Sequence, residues 1–265
     1  SAPYGVTTTK LQNSTQTDII VTLWGSGQIA VLCEYYAADF AIENKYSTGS
    51  SPQPYSVTIG DFNEDHRADI AVLHSGTDDI VIYFNSSDKT FDTQRVYSLS
   101  KNSRPKNIIN EDLNNDNHLD IVTVNSMNNS ISVMMGHGNG TFEIPQMYST
   151  GHDSNPLAMA IGHINDDNRL DLVVANEGTN SVGLFLAFNY RSFPTKMSYS
   201  NVDAQYPLAI ATTDLNNDHY VDIVAAFHRS DMIGILLGYG NGSFDNMQKY
   251  STGRGSEPVS LAIHD

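Results

Sequence analysis

YSVTIGDFNEDHRADIAVL, residues 55–73, places an acidic loop between two short apolar stretches, and this arrangement recurs along the chain every 51 residues. The loop reads Asp-x-Asn-x-Asp-x-x-x-Asp. Complete copies stand at Asp61, Asn63, Asp65 and Asp69, at Asp112, Asn114, Asp116 and Asp120, and at Asp214, Asn216, Asp218 and Asp222. A fourth copy begins with His163 and continues through Asn165, Asp167 and Asp171.

Other positions keep the same interval: Pro3, Pro54, Pro105, Pro156, Pro207 and Pro258; Phe40, Phe91, Phe142, Phe193 and Phe244; Tyr46, Tyr97, Tyr148, Tyr199 and Tyr250. A fixed period of this size marks one supersecondary unit stacked on copies of itself. The fifth copy shows four short stretches, Leu208 to Ala211, Asp222 to Ala226, Ile233 to Gly238 and Phe244 to Ser251, which are strand lengths rather than helix lengths. Asn139-Gly140 and Asn241-Gly242 tolerate positive φ and suit tight hairpin turns. Four antiparallel strands per unit make a propeller blade. The expected fold is therefore all-β: five four-stranded blades of 51 residues, beginning near residues 3, 54, 105, 156 and 207, in a single domain spanning 1–265. Residues 258–265 repeat the opening of a unit, while Asp18 already aligns with Asp69 at the other end. If the five units close as a ring, one opening strand is redundant. The expectation is a segment of a larger array, of up to seven blades.

Side chains at loop positions 1, 3 and 5, a backbone carbonyl at 7 and a carboxylate at 9 can wrap one ion with oxygen ligands only. Hard oxygen donors with several carboxylates select calcium. The position 7 carbonyls belong to Arg67, His118, Arg169 and Tyr220. Position 6 holds His66, Asn117, Asn168 or His219, residue types found more often than most at positive φ. An EF-hand is excluded, because position 12 is Val72, Thr123, Val174 or Ala225 and the flanks read as strands. Three strong calcium sites are expected, with a weaker fourth where His163 removes one oxygen. The first unit has Lys10, Gln12 and Ser14 at ligand positions and keeps only Asp18, so it should bind none.

The formal charge of -16 argues against nucleic acid and against an anionic membrane as partners. No apolar run reaches the length of a membrane span, so no membrane insertion by this segment is expected. The single cysteine, Cys33, falls in register with Phe84, Met135, Leu186 and Leu237, a buried position in the third strand. Sequons at Asn13, Asn85, Asn128, Asn139 and Asn241 permit glycosylation. Calcium loops of modest affinity are filled where calcium is plentiful, so the expected location is extracellular or at the cell surface.

Residues 55–73 resemble the FG-GAP repeat of integrin α-subunit propellers and the related VCBS repeats, and the resemblance runs through all five units. It implies that the loop joins the first and second strands of a blade and holds calcium on one rim. Glycine is missing from position 6 in every copy, and the Gly-Ala-Pro element of integrins is replaced by residues such as Val174-Ala175-Asn176.

A propeller puts the loops between strands two and three, and those between blades, on the rim opposite the metal loops. There the repeats diverge: SSPQ from Ser50, KNSR from Lys101, HDSN from His152, DAQY from Asp203 and RGSE from Arg254. Trp24, Arg104, His152, Tyr206, His228 and Arg229 are the candidate partner-binding residues on that rim. The leading expectation is an adhesion or protein-interaction module. A lectin is the alternative, with a protein or a glycan as ligand accordingly. No nucleophile and base can be placed from spacing alone, and the chain is expected not to be an enzyme.

Overall fold

The computed structural model describes residues 3–10, 17–36, 39–49, 53–86, 90–189 and 192–263. Gln12, Ser14 and the Asn13 sequon of the degenerate first loop, Ser50 to Pro52, and Asp265 lie outside these residues. Among the described residues there is no α-helix, and the strands form five antiparallel sheets of four, arranged as propeller blades.

The first sheet runs β1 (Pro3–Thr9), β2 (Asp18–Leu23), β3 (Gln28–Tyr36) and β4 (Asp39–Ser47). The second runs β5 (Pro54–Gly60), β6 (Asp69–His74), β7 (Asp79–Phe84) and β8 (Thr93–Ser98). The third comprises β9 (Pro105–Glu111), β10 (Asp120–Asn125), β11 (Ser130–Met134) and β12 (Gln146–Ser149), and the fourth β13 (Pro156–Gly162), β14 (Asp171–Asn176), β15 (Ser181–Leu186) and β16 (Thr195–Ser200). The fifth is β17 (Pro207–Thr213), β18 (Asp222–Phe227), β19 (Met232–Leu236) and β20 (Gln248–Ser251), with one 3-10 turn at His228–Ser230.

Pro3, Pro54, Pro105, Pro156 and Pro207 each open the first strand of a blade, where a missing N–H and a fixed φ are tolerated, whereas Pro258 opens no strand. A register shift follows it in the ladder, as between Pro54 and Ser56. The second strand of blades two to five is buried at every position. That is why these strands read as continuous apolar runs rather than an alternation.

The chain groups into two compact units, one of residues 1–112, 116–128 and 132–147, the other of 113–115, 129–131 and 148–265. In the first unit the alternate faces of β6 serve two cores. Ile70 and Val72 pack with Ile20, Ile29 and Val31, while Ala71 and Leu73 pack with Ile108, Ile121 and Met134. In the second unit Val173, Val182 and Leu184 pack with Ile223, Ala225 and Phe227.

The repeated aromatics meet between blades. Tyr46 lies edge-to-face on Phe91 with centroids 5.5 Å apart, and Tyr97 on Phe142 at 5.3 Å, both in the first unit. Tyr148 on Phe193 at 5.5 Å and Tyr199 on Phe244 at 5.4 Å repeat the contact in the second. Sequence reading extends the fourth strand from Phe244 to Ser251, but β20 begins only at Gln248 and Phe244 makes an isolated bridge to Gly238. The phenylalanine is held by its neighbour's tyrosine, and the chain rejoins the sheet four residues later. Gly140 and Gly242 take φ of 72° and 82° at the hairpins, as the Asn-Gly pairs require. Cys33 is buried in β3.

Candidate functional site

All four acidic loops join the first and second strands of a blade. Position 6 has positive φ in every one: 62° at His66, 68° at Asn117, 59° at Asn168 and 70° at His219. Position 4 does too, at Glu64, Asn115, Asp166 and Asn217, with φ between 54° and 60°. Two left-handed residues in each loop turn the side chains of positions 1, 3 and 5 inward. In the Asp61 loop, Asp61 accepts the backbone N–H of Asp65 at 3.1 Å and of His66 at 2.7 Å. Asp65 accepts the Arg67 N–H at 3.0 Å and the Asn63 amide N–H at 3.0 Å. The Asp214 loop repeats this pattern, with Asp218 and His219 donating to Asp214 and Tyr220 donating to Asp218. Asp112 likewise accepts from Asp116 at 3.1 Å and Asn117 at 2.8 Å, and Asn114 in the same loop is half-buried.

Position 9 behaves differently from the rest. Asp69, Asp120, Asp171 and Asp222 are each 0% exposed. One oxygen of Asp69 accepts the Phe62 N–H at 3.1 Å and the other the Asn85 N–H at 2.8 Å. Asp171 holds Ile164 and Ala187 in the same way, and Asp222 holds Leu215 and Gly238. This carboxylate ties the loop to the chain leaving the third strand. Burial raises the pKa of Asp69 and of Asp171 to about 6, against the lowering effect of those backbone donors. A cation beside either group would oppose the rise.

Position 7 separates the loops. Arg67 donates to Asp65 at 2.6 Å and to the Asn85 carbonyl at 2.8 Å, and Arg169 pairs with Asp167 and reaches the Ala187 carbonyl at 3.1 Å. In those two loops a guanidinium already neutralises the position 5 carboxylate. His118 instead pairs with Glu64 of the preceding blade, and that contact raises its pKa. Tyr220 brings no charge. At the fourth copy, His163 Nδ1 lies 3.0 Å from the Arg169 carbonyl oxygen, so the imidazole itself occupies an atom that the sequence reading gives to calcium.

Among the described residues, no group of three or more His, Cys, Asp or Glu side chains is arranged to hold a metal. The Asp61, Asp112 and Asp214 loops bring a different donor set, two carboxylates with an amide, and the buried position 9 Asp stands behind them; the His163 loop has one carboxylate fewer. One observation fits a cation directly. The Asn165 side-chain oxygen is buried and has no hydrogen-bond partner in the structure. A cavity of about 280 Å³ adjoins the Asp61 loop, lined by Asn63, Asp65, Arg67, Phe84 and Arg95 among others.

The six candidate partner residues all lie at the opposite ends of their strands. Trp24 sits in the β2–β3 turn, Arg104, His152 and Tyr206 precede β9, β13 and β17, and His228 and Arg229 form the β18–β19 turn. In the second unit, the Arg229 guanidinium stacks 3.8 Å over the Tyr206 ring, and His228 Nδ1 lies 3.0 Å from the Glu257 carbonyl. His152 is almost wholly exposed.

This rim also carries a repeat that the sequence reading missed. Gly27, Asp78, Asn129, Asn180 and Asp231 occur at the period and all have positive φ. Asp78 accepts the N–H groups of Asn102 at 2.6 Å and Arg104 at 2.7 Å. Asn129 holds Asn155, Asn180 holds Tyr206, and Asp231 holds Gly255 and Glu257. The connectors thus vary in side chain while the backbone is fixed, with positive φ at Arg104, Asn155, Tyr206 and Glu257. Asp78→Ala is expected to cost about 2 kcal/mol in urea unfolding, from lost hydrogen bonds and left-handed strain. Asp78→Asn should cost less, because one amide oxygen can still hold the Arg104 N–H as asparagine does at positions 129 and 180, while the bond to the exposed Asn102 N–H is lost.

Another feature absent from the sequence reading is a pair in β6 and β7: His74 Nδ1 lies 2.6 Å from Asp79 Oδ1. Its imidazole is 1% exposed and Nε2 lacks a hydrogen-bond partner.

Residues 112–174 match the family described as FG-GAP-like repeat. No curated protein matches the sequence. Among solved structures, the chain is similar to virginiamycin B lyase from Staphylococcus aureus, 15% identical with a TM-score of 0.68, covering 97% of this chain and 73% of that one. It is similar to the periplasmic gluconolactonase of Pseudomonas aeruginosa, 16% identical with a TM-score of 0.66 over 89% and 68% of the two chains. An Agrocybe aegerita lectin that recognises non-reducing terminal N-acetylglucosamine is 15% identical with a TM-score of 0.62, over 94% and 67%. At these identities the likeness shows the propeller fold alone. It also corrects the expectation that the chain is not an enzyme. A lyase and a lactonase are built on this fold, and the absence of a spaced catalytic motif does not separate this chain from them.

Proposed function

We propose that the chain is a calcium-loaded β-propeller of the extracellular space or cell surface, which presents a binding surface for a protein or glycan at the blade ends opposite its acidic loops. The observation that carries this reading is the division of chemistry along each strand. Oxygen donors held by paired left-handed residues gather at one end, while exposed aromatic and cationic side chains on a fixed backbone gather at the other. Calcium at Asp61, Asn63 and Asp65, and at the matching positions of the other loops, would offset carboxylate repulsion and stiffen the turn. The residues at position 7 rank the sites. The Asp112 and Asp214 loops should bind most tightly, the Asp61 loop less because Arg67 lies against Asp65, and the His163 loop least.

Calorimetric titration of chelator-stripped protein with calcium is expected to resolve about four sites in that order. Substituting Arg67→Gln should tighten the Asp61 site. Absence of calcium uptake, or preference for zinc, would refute the assignment.

A further inference from the structure

The openings of the first strands in the first unit carry an aromatic and cationic cluster in which, among the described residues, no carboxylate pairs with Lys106. Tyr4, Tyr55 and Lys106 occupy the second position of β1, β5 and β9, one repeat apart, and these strands pack side by side. The Tyr4 and Tyr55 rings stand 4.4 Å apart, and the Trp24 ring lies 6.5 Å from Tyr4. Lys106 Nζ sits 4.0 Å over the Tyr55 ring. Tyr4 is 57% and Trp24 38% exposed, so both side chains are open to solvent.

We infer that Tyr4, Trp24, Tyr55, Arg104 and Lys106 form a binding site for an anionic carbohydrate, a sugar ring bearing a carboxylate or sulfate. The inference rests on the proposed division of the blades and names the ligand of that surface. Flat exposed rings suit the C–H face of a sugar, and tyrosine hydroxyls suit its oxygens. The cations supply the sign. Lys106 is half-buried, its pKa is lowered to about 8 by burial and then by Arg104, and no salt bridge offsets it among the described residues. Arg104 is exposed, and the nearby Asp78 carboxylate is turned onto the backbone N–H groups of Asn102 and Arg104 and the Ser103 hydroxyl. In a chain with a formal charge of -16, two cations so placed are a local exception. An anionic group on the ligand would supply the counter-ion that Lys106 lacks among the described residues.

Trp24 is the only tryptophan, so its fluorescence reports on this site in the full chain. The probes are sialyllactose and an oligogalacturonide for the carboxylate, a heparin-derived disaccharide for the sulfate, lactose as neutral sugar, and a polyglutamate peptide. Saturable quenching or enhancement is expected with the carboxylated or the sulfated probe, whichever source is right, and binding of lactose at least tenfold weaker. Lys106→Gln and Lys106→Met should each weaken the anionic probe about tenfold, with melting temperature within a few degrees of wild type. Tyr4→Ala should do the same, and Lys249→Gln should change nothing. Equal affinity for lactose, binding of polyglutamate in place of sugars, or no response to any sugar would overturn the inference. Calcium calorimetry on the same samples separates the two claims. Calcium uptake without sugar binding removes only this inference, and sugar binding without calcium uptake removes only the calcium reading.

Discussion

Asp222→Ala is expected to lower the unfolding free energy by roughly 3 kcal/mol, because it leaves the buried Gly238 N–H and the partly buried Leu215 N–H without an acceptor, at about 1–3 kcal/mol each. Those groups are Leu215 N–H at 2.9 Å and Gly238 N–H at 2.8 Å, and both lose their acceptor together. The loss should appear with chelator and with calcium alike, since these bonds form within the protein. Asp222→Asn should also be costly, because its amide NH2 would face a donor. Urea unfolding followed by circular dichroism measures the difference. A loss below about 1 kcal/mol in chelator would show that these hydrogen bonds contribute little net stability and that this carboxylate does not tie the loop to the strand end.

Calcium itself should raise the melting temperature. A ligand bound only by the native state adds about 2.7 kcal/mol per site at a hundredfold excess over its dissociation constant. Asp218→Ala tests one site. Asp218 is exposed and accepts from Tyr220 N–H at 2.9 Å and the Asn216 amide at 2.8 Å, so its removal should cost little in chelator. In calcium the same variant should lose most of one site's share. Asp245→Ala, an exposed acid outside the loops, should behave like wild type under both conditions. Equal calcium responses from Asp218→Ala and wild type would refute position 5 as a ligand.

The two variants separate roles that the sequence presents as equivalent. Asp218 and Asp222 are both acids of one motif, but one is exposed and the other is 0% exposed. Spacing alone cannot rank them. Nor could it show that His163 bonds to the Arg169 carbonyl, or that Arg67 lies against Asp65, because position 7 enters the motif only through its backbone. The polar repeat at Asp78, Asn129, Asn180 and Asp231 was present in the sequence at the same interval. It went unread because its role is to accept N–H groups about 25 residues away, a contact that exists only once the blades are formed.

What the sequence by itself determined is the blade: strand content, the loop between first and second strands, the hairpin Asn-Gly pairs and the left-handed position 6. These follow from local chemistry, the short apolar runs and the φ preferences of Asn, Gly and His, repeated at one fixed interval along the chain. Only the tertiary structure decided which residues of different blades meet. It placed Tyr97 on Phe142, buried the position 9 carboxylates, and set Tyr4, Tyr55 and Lys106 side by side. Those juxtapositions depend on stacking one sheet on the next, where hydrophobic burial sets the spacing and polar groups must then find partners or remain without them.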